Sequence, residues 1–200
     1  VPRQCGIATF TADLREAIAA QYHDLQSSII AVTDRPEGYH YPSEVRFEIP
    51  EQDISAYRRA ADFLNLVNVD VLCLQHEFGI FGGPSGRHLL TLLRNLRMPV
   101  VTTLHTILRD PTREQKLMLQ EVIKLSARVV SMAEKGVAFL CDIYGTPADK
   151  IDLIPHGIPD VPFADPNYYK DKFGAEGRPV LLTFGLLSPN KGIEYVLNAL

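Results

Sequence analysis

The sequence predicts an α/β protein, a doubly wound and mostly parallel sheet with flanking helices. Short apolar, β-branched runs recur at 27–32 (SSIIAV), 69–75 (VDVLCLQ), 99–105 (PVVTTLH), 127–132 (ARVVSM), 151–156 (IDLIPH) and 179–184 (PVLLTF). From the second run onward they stand roughly 25 to 30 residues apart, the length of a strand–helix–strand unit. The runs are nearly continuous in apolar residues, as strands covered on both faces of a parallel sheet must be. Between them the apolar residues repeat with the period of a helix. Alternating strands and helices of this kind give the layered α/β architecture.

Taken in order, FTADLREAIAAQY places Phe10, Leu14, Ala17, Ile18 and Tyr22 on one helical face, with Thr9 or Thr11 as the expected cap. SSIIAV is the first strand. SAYRRAADFLNL is a weaker amphipathic helix, and VDVLCLQ the next strand. SGRHLLTLLRNL and TREQKLMLQEVIKLS are clear helices on either side of the strand PVVTTLH. KGVAFLCDIYG gathers Val137, Leu140, Cys141 and Tyr144 on one face, and Gly145 and Pro147 supply its stop. After IPHG the segment 158–179 is rich in proline and holds one short helical pattern. A fresh strand is expected at Val180–Phe184, leading into the turn GLLSPNKG.

Composition narrows the class. With 46% hydrophobic and 22% charged residues the chain is an ordinary globular protein, and a formal charge of −4 gives no electrostatic reason for nucleic-acid binding. Cys5, Cys73 and Cys141 form no CxxC pair, so structural zinc held by cysteines is not expected. Cys73 and Cys141 read as small buried hydrophobes in a reducing, cytoplasmic compartment. No apolar run approaches the roughly 18 residues of a membrane span. Arg87, Arg94 and Arg97 lie along one helix without an acidic neighbour on it. Weak peripheral contact with anionic lipid at the inner face of the membrane is one reading, and a solvated polar face the other. The chain opens in the loop VPRQCG and closes on KGIEYVLNAL without a helix stop, the pattern expected of a fragment.

Ligands of open α/β sheets bind beyond the carboxyl ends of the strands. Three of the six histidines, His76, His105 and His156, directly follow apolar runs and so share that rim. Glu77 lies there too. The His76-Glu77 pair could hold polyol hydroxyls, ligate a metal, or serve as a rim ion pair or a helix-capping carboxylate. The spacing matches no compact metal motif, and no metal site is expected. Gly6 precedes the first helix, and Gly82, Gly83 and Gly86 precede another; helix starts of this kind attract anions. Lys191 opens a third, where an ammonium can face a diphosphate.

The stretches CGIATF, QHEFGIFGG, PVVTTLHT, ARVVSMA, KIDLIPHGI and LLTFGLLSPNKGIE, in that order, resemble the retaining, nucleotide-sugar-dependent glycosyltransferases of family 4. That resemblance implies a GT-B fold built from two Rossmann-like domains. Residues 1–162 would be the N-terminal, acceptor-side domain, 163–178 the linker, and 179–200 the truncated start of the donor-binding domain. It further implies that Gly6 and Lys191 meet the donor diphosphate and that His105 stands beside the transferred sugar. By the same resemblance His76 and Glu77 face the acceptor, and His156 and Gly157 form the cleft floor near the hinge. The implied activity is hexosyl transfer, mannosyl or glucosyl, without metal or cofactor, from a nucleotide-diphosphate sugar to a glycan, lipid or small molecule. Alternatives are a carbohydrate-binding module and a metal-dependent hydrolase using His76, Glu77, His105 and His156.

Departures from the family pattern carry expectations of their own. Cys5-Gly6 replaces a pair of glycines, and Leu186 stands where relatives usually have an arginine for the diphosphate. The strand that normally precedes CGIATF is expected to be missing, removing a central strand from the sheet. A carboxylate pair expected later in the donor domain is not among these residues, so the fragment alone is expected to be inactive.

Overall fold

The computed structural model describes residue 2 and residues 5–158, 160–184 and 191–200. The chain divides into two compact units, 1–156 and 157–200. The first opens with α1 (Gly6–Gln21), followed by β1 (Ile29–Thr33), β2 (Val45–Pro50), α2 (Ile54–Leu66) and β3 (Leu72–His76). It continues through the short α3 (Leu89–Leu93), β4 (Val100–Leu104), α4 (Arg113–Leu125), β5 (Arg128–Ser131), α5 (Glu134–Asp142) and β6 (Ile151–Leu153). Every strand pairing among the described residues is parallel: β1 with β2, and β3-β4-β5-β6 in chain order. This is the α/β architecture of parallel sheets flanked by helices, in two pieces where one continuous sheet was expected.

The central strands bury most of their length because helices cover them. Val100, Thr102, Thr103 and Leu104 of β4 and Val129, Val130 and Ser131 of β5 are buried. The segment read as the weaker helix, α2, buries Ala56, Tyr57, Ala60, Ala61 and Leu64 and packs on α3. Three alanines on that face let the neighbouring backbone come close. Asp53 caps α2, accepting from Ser55 N–H at 2.9 Å, and Thr112 with Gln115 forms a complete capping box on α4.

Several elements differ from expectation for identifiable reasons. The strand β2 escapes a search for continuous apolar runs. It alternates, with Phe47 half-buried and Ile49 buried but Arg46 and Glu48 outward, as a half-exposed strand does. Neither Thr9 nor Thr11 caps α1. The helix starts earlier, at Gly6, and both hydroxyls fold back onto carbonyls four residues before them, Cys5 and Ile7. Gly145, at φ +69°, ends the α5 region as its sequence predicts. Cys73 is exposed rather than buried, because its side of β3 is the less covered one: Leu74 and His76 are buried, Cys73 and Gln75 are not. Arg94 does find an acidic partner, Glu121 of α4 at 2.9 Å, across the helix–helix contact.

The second unit contains α6 (Pro166–Lys170) and α7 (Ile193–Ala199). Val180–Phe184 forms no strand there, since a strand needs a hydrogen-bonding neighbour and none is present among the described residues. Gly185, Leu186 and Leu187 lie outside the described residues.

Candidate functional site at the carboxyl rim

The parallel register decides which residues meet at the rim. Leu72 to His76 of β3 pair with Val100 to Leu104 of β4, so the ends of both strands leave the sheet side by side. His105 N–H donates to the His76 carbonyl at 3.0 Å, extending the ladder by one residue. The end of β2 is tied to the same rim. Tyr57 Oη donates to the Glu51 carbonyl at 2.9 Å and accepts from Gly82 N–H at 3.0 Å, while Gly83 N–H donates to Gln52 at 3.3 Å.

His76 turns inward. It has no exposed surface, its ring stacks against Phe81 and meets Phe78 edge-on, and neither ring nitrogen has a hydrogen-bond partner. Burial, helped by the positive end of His105's titration, holds its pKa down to about 4, so it is neutral near pH 7. Expected on the acceptor side, His76 is instead a core residue, offering no atom to an acceptor in this conformation.

Glu77 does remain at the rim, as a tether. One carboxylate oxygen accepts from Phe78 N–H at 2.8 Å and the other from the Thr106 hydroxyl. The two loops that leave β3 and β4 are thereby fastened together.

His105 is half-buried, with Nε2 at 2.8 Å from Gln75 Oε1. Its pKa is lowered chiefly by burial; Glu77 pulls it upward and His156 lowers it further. Phe10, one turn into α1, meets His105 edge-on at 4.9 Å and His156 at 5.3 Å between ring centroids. One aromatic side chain thus joins two of the rim histidines to the first turn of α1. His156 itself is exposed.

The start of α1 is open. Cys5 provides no side-chain cap, the first turn holds no acidic residue, and a Cβ on Gly6 would meet nothing within 4 Å. The unspent N–H groups and the helix dipole suit it to an anion. The glycines of FGGPSG serve another purpose. A Cβ at Gly82 would lie 2.0 Å from the Glu51 carbonyl oxygen and 2.6 Å from His88 Nδ1, so that loop is built for close packing. Its amides at Gly82, Gly83, Gly86, Arg87 and His88 are already bonded within the protein.

In the second unit Gly157 is exposed, and exposed Lys191 immediately precedes Gly192, the residue at φ +64° in the cap position of α7. Among the described residues no three histidine, cysteine, aspartate or glutamate side chains gather as a metal site. No helix among them is long and apolar enough to cross a membrane.

The model of Glycosyltransferase Family 4 matches residues 5–160, which contain every rim residue above. The chain belongs to that family. No curated protein matches the chain significantly. Membership implies a transferase with sugar-containing substrates. The structure adds Gln75, Phe10 and Thr106 to the rim through their contacts with His105 and Glu77. Gln75 and Thr106 were legible in principle: each flanks a rim histidine, and parallel pairing of LCLQHE with VTTLHT sets Gln75 by His105 and Glu77 by Thr106. Phe10 carried no such signal, since it fits the apolar stripe of α1 equally well.

Proposed function

We propose that this family 4 chain is the acceptor-side part of an enzyme that transfers a hexosyl group from a nucleotide-diphosphate sugar to an acceptor, with retention and without a metal ion. The observation that carries the reading is the open start of α1, one helical turn from the ring that contacts both His105 and His156. The difficult step in glycosyl transfer is to stabilise a departing diphosphate beside an oxocarbenium-like sugar. In this reading the N–H groups at Gly6 and the following residues receive diphosphate oxygens, and Lys191 supplies the cation. His105 hydrogen-bonds the sugar, and Glu77 keeps the loops on either side of it in register. His156 and Gly157 border the cleft where the acceptor attacks, from the face the diphosphate leaves. Glucosyl and mannosyl donors, a cytoplasmic setting, and a glycan, lipid or small-molecule acceptor complete the proposal.

A thermal-shift screen of UDP-, GDP- and ADP-sugars on the full chain tests it, followed by an assay for released nucleoside diphosphate. One donor class should stabilise the protein and be turned over. His105→Ala should cut turnover on the order of 100-fold while leaving the fold intact. Binding without turnover would leave a carbohydrate-binding module, and no response to any donor would overturn the reading.

A further inference from the structure

We propose that Gln75 is a positioning residue: it keeps the His105 proton on Nε2, so that Nδ1 presents a lone pair to a hydroxyl group of the substrate. The ligand half of this inference rests on the sugar-transfer reading of the rim; the tautomer does not.

A carboxamide oxygen only accepts, so at 2.8 Å from Gln75 Oε1 the Nε2 of His105 is the donor. In a neutral imidazole the second nitrogen then carries the lone pair. Three contacts fix the ring's orientation: the Gln75 bond across neighbouring strands, the Phe10 edge at 4.9 Å, and the backbone bond from His105 N–H to the His76 carbonyl. The charged and titratable groups facing His105 are Glu77, His76 and His156. Glu77 is committed to Phe78 N–H and the Thr106 hydroxyl and leaves the imidazole to Gln75. Nδ1 is not among the buried polar atoms lacking a partner, and no described residue bonds to it, so it is open to a ligand.

The chemistry follows from what each ligand group can do. Diphosphate oxygens accept hydrogen bonds and cannot satisfy a lone pair. A sugar hydroxyl can donate to it. His105 therefore reads a hydroxyl of the sugar, and the diphosphate is left to other groups. Gln75, on the neighbouring strand and level with Thr103, selects between these roles through its bond to Nε2.

Long-range proton–nitrogen NMR of the 15N-labelled full chain reads the tautomer directly. Wild type should show the proton on Nε2, and Gln75→Leu a mixture of both tautomers. Gln75→Glu retains the acceptor and adds charge, so it should keep the Nε2 proton and raise the His105 titration midpoint. If Gln75→Leu fails to fold, that raised midpoint carries the test. In the transfer assay Gln75→Leu should raise the donor KM about fivefold to tenfold. That penalty should vanish for the one monodeoxy donor lacking the hydroxyl that His105 reads. A proton on Nδ1 in wild type, or a tautomer indifferent to Gln75, overturns the positioning role. A Gln75-dependent Nε2 tautomer in a protein that answers to no nucleotide sugar overturns the ligand half and the functional reading together.

Discussion

Replacing His76 with leucine should remove much of the acid sensitivity of this fold. The native imidazole is buried among Phe78 and Phe81 with both nitrogens unpartnered, and its pKa is held near 4 against an ordinary 6.5. Between those values the unfolded chain binds the proton that the folded chain refuses. Stability from this group is therefore complete above about pH 6.5 and is lost as pH falls toward 4. The linkage relation puts the loss from pH 7 to pH 5 at about 2 kcal/mol, and the limit below pH 4 at about 3 kcal/mol. Leucine has no proton to take and leaves no buried nitrogen unsatisfied. Urea unfolding of wild type and His76→Leu at pH 7 and pH 5 measures the difference. His105, whose pKa is also lowered, contributes in the same direction to both proteins and cancels in the comparison. Should the variant lose as much stability as wild type on acidification, His76 is not the buried neutral group described.

The glycines separate into two kinds that substitution distinguishes. Gly82→Ala forces a Cβ against the Glu51 backbone and should cost about 1–3 kcal/mol by chemical denaturation. Gly6→Ala meets nothing in the protein, so its unfolding midpoint should stay at or above that of wild type while donor binding, read by thermal shift, weakens. Thr112→Ala removes the hydroxyl that accepts from Gln115 N–H at 3.2 Å, leaving the backbone half of the capping box, and should cost about 1 kcal/mol of stability, with no change in donor affinity.

Much of the first unit was legible because its strands are buried on both faces and its helices on one. Those two periodicities survive in the sequence as continuous runs and stripes. The strand β2 was not legible by the same rule, because Arg46 and Glu48 interrupt it wherever it faces water. The rim histidines could be placed from their position after each run, but sequence position does not say which way a side chain turns. His76 and His105 each follow a run of the same kind; one is swallowed by two phenylalanines and the other stands half-open beside Phe10. Position alone also could not tell a glycine with open space around it from one pressed against a neighbouring backbone. Both stand near helix starts in the sequence, but Gly6 is the first residue of α1 in open space and Gly82 is packed against Glu51 and His88.

The order β3-β4-β5-β6 has a consequence for how the protein is made. Each strand's hydrogen-bonding partner is the next strand in the chain, reached by a single crossover. A ribosome delivering the chain from its N-terminus releases each strand when its neighbour already exists as a template. This sheet can therefore grow outward from β3 as synthesis proceeds, with none of its strands waiting for a distant partner.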